Sequence, residues 1–297
     1  MPTLKDYVIG TRPWSFSMTA ISVSMGTFLA GAEGPVSWPW FALTLVGAVF
    51  FHAAANVTND YFDTRYGVDT ADAPTARYRP HPIFAGMLSP GRLLGQAAAF
   101  YAIALAVGIL TTVLRSRDIA WIGAIGFLAS FLYTAGPVKF KYRALGEVAV
   151  FLTWGPLIIG GAYAVQRGAV SARPLVVSVP FGVLVALVLF ANNMRVVEFH
   201  ARRGIRTLGI LLGKRASLAI YLGLIAAAYA AVVSMVAAEY LTPWALLSLL
   251  SVPKAVSLFR TFAREIPDAA DAITAELDTV FGVCLMAGLL IAAVTAP

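Results

Sequence analysis

The sequence predicts an all-α polytopic membrane protein, a bundle of nine transmembrane helices forming one domain over residues 1–297. Three observations carry this expectation. Of the 297 residues, 59% are hydrophobic and only 12% are charged, against about 25% charged in a soluble domain. The apolar residues gather in runs of about 20, the length a helix needs to cross hydrocarbon. Lysine and arginine crowd alternate connections between those runs, as cytoplasmic loops require.

The runs lie at roughly 14–32, 38–58, 92–113, 119–136, 146–165, 174–194, 216–237, 242–261 and 279–296, with ends uncertain by about two to four residues. Met1 to Arg12 is polar and precedes a span long enough to stay in the bilayer, so an integral protein without a cleaved signal peptide is expected. With the N-terminus inside, 18 of the 22 basic residues fall in inside segments. The outside loops then hold only Arg115, Arg117, Arg167 and Arg173. One missed span would scramble this alternation. The orientation puts the N-terminus, and the long loops after spans two and six, in the cytoplasm of a cell-membrane protein. In so apolar a chain the net charge of +7 points to an anionic leaflet and not to nucleic acid. Cys284 stands alone in an apolar run, which excludes a disulfide framework and a thiolate metal site. It reads as a small buried hydrophobe.

The second run ends in polar residues that lipid would not tolerate. A helix turns by about 100° per residue, so from His52 as origin Asn56 falls at about 40°, Asn59 at about 340°, Asp60 at about 80° and Asp63 at about 20°. These five side chains form one stripe that must face a cavity or the bundle interior. Asp60 and Asp63, three residues apart, can share one cation. A hard cation such as Mg²⁺ takes oxygen ligands and usually arrives with a phosphate. Gly67 is placed to end the helix, with Asp69 and Asp72 in the loop beyond. The plainer reading, solvated aspartates at a membrane surface, suits Asp72. It fits Asp60 and Asp63 poorly, because the asparagines on their face lie deeper. His52 reads more readily as a hydrogen-bonded core residue than as a ligand. Span six also ends in asparagines, Asn192 and Asn193, four spans after the first pair, which hints at an internal duplication.

Several pieces, in order over nearly the whole chain, resemble the UbiA superfamily of intramembrane prenyltransferases. They are Arg12-Pro13-Trp14-Ser15; Asn56-x-x-Asn59-Asp60-Tyr61-x-Asp63-x-x-x-Gly67-x-Asp69; Tyr133-Thr134-x-Gly136-Pro137 with Gly146-Glu147; Gly155-Pro156 leading to Tyr163 and Gln166; and Asn192-Asn193-x-Arg195 followed by Gly204-x-x-Thr207-Leu208. The branch that prenylates 1,4-dihydroxy-2-naphthoate in menaquinone synthesis is the most similar in look. The resemblance implies a lateral chamber topped by a cytoplasmic cap made from loops 2–3 and 6–7. A polyprenyl diphosphate would lie with its head under the cap and its tail toward membrane lipid. Mg²⁺ would sit on Asn56, Asp60, Asp63 and Asp69, with Asn56, Asp60 and Asp63 as the catalytic set. Asn59, Lys139, Lys141, Arg143, Asn192, Arg195, His200 and Arg203 would hold the diphosphate. Arg12 and Tyr133 would meet an aromatic acceptor such as dihydroxynaphthoate. For Lys139, Lys141 and Arg143 the alternative is plain positive-inside bias. Arg77, Arg79 and His81 are further candidates of the same kind.

The chain departs from the family after Asn192-Asn193-x-Arg195. There the family carries a second aspartate motif, which ligates a second Mg²⁺; here the positions hold Val196 and His200. On a regular helix with Asn192 as origin, Val196 is at about 40° and His200 at about 80°, but the neighbouring acid Glu198 is at about 240° and faces away. Three readings follow. A histidine could ligate weakly; Arg195, Arg202 or Arg203 could neutralise the diphosphate directly; or diphosphate chemistry is lost. The second is favoured, because an inactive chain would have no need of an intact first motif.

The function expected is ionisation of a polyprenyl diphosphate and transfer of the prenyl group to an aromatic acceptor. A membrane terpene cyclase acting on the diphosphate alone is the second enzyme reading. A transporter-like or lipid-binding relative is a third, from another class. Trp14, Phe51, Tyr61, Tyr66, Tyr133, Trp154 and Tyr163 could face an allylic cation, although each singly reads as packing. Lys254, after Pro253, is expected to snorkel toward the cytoplasm.

Overall fold

The structure is a computed structural model that describes residues 2–71, 73–74 and 80–295. Asp72, Arg77 and Arg79 lie outside the described residues. The described chain is helical, with no strand. Thirteen α-helices follow in order: α1 Leu4–Gly10, α2 Phe16–Gly31, α3 Trp38–Arg65, α4 Pro90–Leu114, α5 Asp118–Thr134, α6 Gly146–Leu152, α7 Ile158–Arg167, α8 Ala172–Val177, α9 Val179–Arg195, α10 Val197–Arg202, α11 Leu208–Ala237, α12 Val252–Arg264 and α13 Ala270–Thr295.

Among the described residues, seven helical stretches are long and apolar enough to cross a membrane: α3, α4, α6 through α7, α8 through α9, α11, Pro243–Arg264 and α13. The other two expected spans are the shorter helices α2 and α5, of 16 and 17 residues. Several helices outrun their apolar runs. α3 continues seven residues past 58, α11 begins eight before 216 and α13 begins nine before 279. The extensions of α3 and α13 are rich in polar residues, so hydropathy alone does not find them. They carry Asp60, Asp63, Asp271 and Asp278.

The core is assembled from α2, α7, α9, α11 and α13, while α4 and α5 turn Leu105, Val113, Trp121 and Leu128 outward, as a lipid-facing surface requires. Close approach of helices in a bilayer relies on small residues, and α2 meets α7 at one. A Cβ on Gly26 would collide with the Ile159 carbonyl and lie 2.9 Å from the Ala162 methyl. Between α6 and α7, Pro156 and Gly155 open a π-turn over Thr153–Leu157, the expected result of a proline that cannot donate within a helix. Ser22 Oγ donates to the Trp154 carbonyl of this turn at 2.7 Å, satisfying backbone that lipid could not. Lys254 is partly exposed and pairs with the exposed Glu276 on α13 at 2.7 Å.

Gly26→Ala is expected to cost about 1–3 kcal/mol by overpacking the α2–α7 contact, lowering the melting temperature in detergent. Unchanged melting would show that α7 can withdraw freely.

Candidate active site

The stripe on α3 forms as its spacing predicts, and it faces inward. Asp60 and Asp63 have no solvent exposure, and His52 and Asn59 are buried beside them. Gly67 ends the helix in the left-handed region (φ 68°), which suits glycine. The reversal lets the Val68 and Asp69 N–H groups donate to the Asp63 carbonyl at 2.8 and 3.1 Å. Asp69 is thereby folded back beside the helix end.

The two carboxylates of α3 have different partners. Asp60 is ion-paired with Arg12, whose Nη2 also donates to Asn59 Oδ1 at 3.1 Å. Asp63 receives Lys141 and the Tyr142 hydroxyl, and Asn59 Nδ2 at 3.0 Å. Arg12 is held in the left-handed region (φ 57°, ψ 59°), a cost that its surroundings must offset. Asn56 supplies part of that restraint, because its Nδ2 donates to the Thr11 carbonyl at 2.9 Å and to Ser15 Oγ at 3.1 Å. The carbonyl oxygen of Asn56 is the atom that remains for a cation. Burial, followed by the nearby charge of Asp63, pushes the Tyr142 hydroxyl well above its ordinary pKa, so it stays a hydrogen-bond donor.

His81 comes from the loop before α4. Its Nε2 lies 3.4 Å from Asp69 Oδ2 and 3.9 Å from Asp60 Oδ1. Ligand atoms of Asp60, Asp69 and His81 lie within 4.8 Å of one another, the sole group of three such residues among those described. The Ile83 N–H donates to His81 Nδ1 at 3.3 Å. In a neutral ring that places the proton on Nε2, so His81 presents an N–H toward the two aspartates. Within this group the oxygens of Asp60 and Asp69 are the donors that suit a hard cation, with Asp63 one turn along α3 from Asp60.

A cavity of about 570 Å³ adjoins this cluster. Arg12, Asn56, Asn59, Asp63, Asp69, Tyr133, Lys141, Asn192 and His200 line its polar part. Met18, Phe51, Trp154, Ile158, Val185 and Leu189 line the apolar part. Asp60 lies behind Arg12 and does not reach the lining. His52 is buried and hydrogen-bonded as expected of a core residue, and it also borders the cavity. Its Nε2 meets Ser15 Oγ at 3.2 Å, its Nδ1 meets Thr19 Oγ1 at 2.8 Å, and its ring abuts Trp154 edge-on at 4.8 Å.

The remaining expected residues divide. Lys139 sits over the Tyr66 ring at 3.5 Å, and Arg143 is exposed; neither lines the cavity. Arg195 donates to Asn192 Oδ1 at 2.6 Å and faces Asp271, its Nε 3.9 Å from Oδ1. Arg203 stacks on Phe199 at 3.6 Å and donates to Thr70 at 3.1 Å. Val196 interrupts the helix between α9 and α10 (φ −102°, ψ 22°) and packs with Ala73 and Phe199. The loop after α3 and the segment after α9 thus touch through an apolar cluster and a hydrogen bond. Glu198 is exposed, facing away as its angle predicts. His200 is buried, lines the cavity, and has no hydrogen-bond partner for Nδ1 among the described residues. Tyr163 and Gln166 are remote from the cavity, bonded to Glu33 and to the backbone of Ser37.

Three residues escaped the sequence reading. Tyr142 is flanked by basic residues and gives no sign of its carboxylate partner. Asp271 lines the cavity from a polar helix start that precedes the apolar run. Asp278, further along the same helix, has no exposure and no hydrogen-bond partner for either oxygen among the described residues.

Fold and site together define an integral membrane enzyme with an acid cluster at one end of an apolar-walled cavity. Residues 19–285 match the UbiA prenyltransferase family, and the chain belongs to that family and is a prenyltransferase. It is 30% identical over 285 residues to the 1,4-dihydroxy-2-naphthoate octaprenyltransferase of Bacillus subtilis (strain 168), covering 95% of this chain and 91% of that one. It is 32% identical over 293 residues to UbiA prenyltransferase domain-containing protein 1 of Homo sapiens, covering 97% and 84%. Among solved structures, a UbiA homologue from Archaeoglobus fulgidus, bound to GPP and Mg²⁺, has the same fold with a TM-score of 0.70. That match is 14% identical and covers 96% of this chain and 99% of the other.

Burial first, and then the positive charges of Lys141, Arg203 and Arg195, lower the His200 pKa from 6.5 to about 4, against the opposing charge of Asp69. The unfolded chain takes up this proton near pH 6.5 and the folded chain only near 4. Acidification through that window therefore favours unfolding, by an amount on the order of 3 kcal/mol. The melting temperature of the wild type is expected to fall between about pH 7 and about pH 4.5 more steeply than that of His200→Asn. Parallel curves would show that His200 is not held neutral.

Proposed function

We propose that the chain transfers a polyprenyl group from its diphosphate to an aromatic acceptor, with dihydroxynaphthoate the acceptor class favoured. The observation that carries the reading is the pair of fully buried carboxylates, Asp60 and Asp63, at the polar end of an apolar cavity. The name of the Bacillus subtilis relative supports the acceptor class. The wider architecture proposed is a single domain of nine spans, with α2 and α5 completing the seven longer ones. The contacting loops after α3 and α9 would form a cap on the cytoplasmic side, where the basic residues collect.

The prenyl chain would lie along Phe51, Trp154 and Val185, with its diphosphate at the acid cluster. Heterolysis of the C1–O bond sends the electron pair to the diphosphate and leaves an allylic cation. An electron-rich ring carbon then supplies the pair for the new C–C bond. Loss of the ring proton, or of a carboxyl group as CO₂, restores aromaticity. Asp60, Asp63 and Asp69 would hold Mg²⁺, which would supply stabilisation of the negative charge that develops on the leaving group. Lys141 and Arg12, already drawn to the acid cluster, would donate to phosphate oxygens. Asn59 bridges Arg12 and Asp63 and orients both. Asn56 holds the turn that presents Arg12. The apolar walls keep water from the cation. Tyr133 and Asn192, both in the lining, would meet acceptor and head group.

In nanodiscs with Mg²⁺, geranylgeranyl diphosphate and dihydroxynaphthoate, a prenylated naphthoate is expected by mass spectrometry. Asp60→Asn and Asp63→Asn should each lower turnover by about 10²-fold or more. Unchanged turnover in both variants would remove the acid cluster from the mechanism. A hydrocarbon formed in the absence of acceptor would instead assign a cyclase.

A further inference from the structure

The two sides of the cavity differ in charge. On the α3 side stand Asp63 and Asp69, with Asp60 behind them. On the α9–α10 side the segment from Asn192 to Arg203 presents no carboxylate: Val196 is buried in an apolar cluster and Glu198 points outward. Outside the first motif the lining holds a single carboxylate among the described residues, Asp271, and it faces Arg195. Lys141, Arg195 and Arg203 all act on this region by their charge. A divalent ion here would meet cations, an imidazole and one carboxylate already facing Arg195, whereas Mg²⁺ requires several oxygen ligands. An anion would meet the opposite conditions. His200 sits on this side, 6% exposed and in the lining, with a buried ring nitrogen that has no hydrogen-bond partner among the described residues. A buried polar atom without a partner is costly unless a ligand supplies one.

We infer that the α9–α10 half of the site holds the diphosphate without a metal, His200 Nδ1–H donating directly to a phosphate oxygen, so that one divalent ion binds per chain and not two. This rests on the prenyl diphosphate reading above and makes His200 a specific binding residue within it. The asymmetry also separates two tasks. The α3 half gathers the cation, and the α9–α10 half recognises the anion by hydrogen bonding and charge.

The test is equilibrium binding of Mn²⁺, followed by electron paramagnetic resonance, to the full chain in nanodiscs with farnesyl thiodiphosphate, which is not turned over. One Mn²⁺ per chain is expected. His200→Ala should weaken thiodiphosphate binding by about tenfold or more, the loss of one hydrogen bond to a charged group. Mn²⁺ binding without thiodiphosphate should not change. His200→Asn, whose amide N–H stands at the same distance from Cβ as Nδ1–H, should restore most of the affinity, which a purely structural role for the ring would not predict. Two ions in the wild type, or His200→Ala binding the thiodiphosphate as tightly as the wild type, would overturn the inference and leave the functional reading intact. Failure of the wild type to bind thiodiphosphate at all would overturn the functional reading itself.

Discussion

Two carboxylates on one helix, both without solvent exposure, impose the condition that the rest of the structure meets. Removing an ion from water costs several kcal/mol unless a partner and further hydrogen bonds compensate. Here the compensation comes from far along the chain. Arg12 reaches Asp60 from the turn before α2, and Lys141 and Tyr142 reach Asp63 from the connection after α5. Neither contact is local, so α3 cannot be buried with its acids in place until both connections have docked. The connection after α5 is tied in turn to the one before α11, since Ala144 N–H donates to the Arg206 carbonyl at 2.8 Å and Arg206 N–H to the Tyr142 carbonyl at 3.2 Å. Formation of the site and closure of this end of the bundle are therefore one event.

The same dependence explains what the sequence disclosed. The stripe on α3 was legible because helical periodicity is local and lipid forbids a polar face. The spans were legible for the same reason, through length and composition. The places where reading stopped are those where a partner is distant or a helix continues in polar residues. Nothing near Tyr142 in the chain indicates that it serves Asp63, which is 79 positions away. Asp271 and Asp278 were missed because α13 begins nine residues before its apolar run. A regular helix through Val196 gave the right direction for Glu198, although the helix is broken there, because the break falls at one residue and α10 resumes at once.

Arg12 also illustrates how one residue type supports different readings. By resemblance it belonged to the acceptor; by geometry it lies on Asp60 and lines the cavity. Its left-handed backbone is sustained by Asn56, itself expected as a ligand. The asparagine amides of α3 therefore act first on protein groups, Asn59 on Arg12 and Asp63 and Asn56 on the turn that carries Arg12. That arrangement keeps the carboxylates oriented through charge-assisted hydrogen bonds, the stronger class, before any substrate is present.

The changes at 196 and 200 have distinct physical consequences. Valine at 196 converts a position at the cavity wall into a packing contact, joining Ala73 of the first long loop to Phe199 of the second. Val196 also borders the cavity, so an acid there would exchange this packing with Ala73 and Phe199 for a charge on the cavity wall. Histidine at 200 stays at the wall and stays polar, but burial and the surrounding cations keep it neutral. A neutral donor near Lys141, Arg195 and Arg203 adds to their attraction for an anion without adding to their mutual repulsion. Histidine at 200 leaves Lys141 with Asp63 and Arg195 with Asp271, and adds an uncharged polar group to the wall.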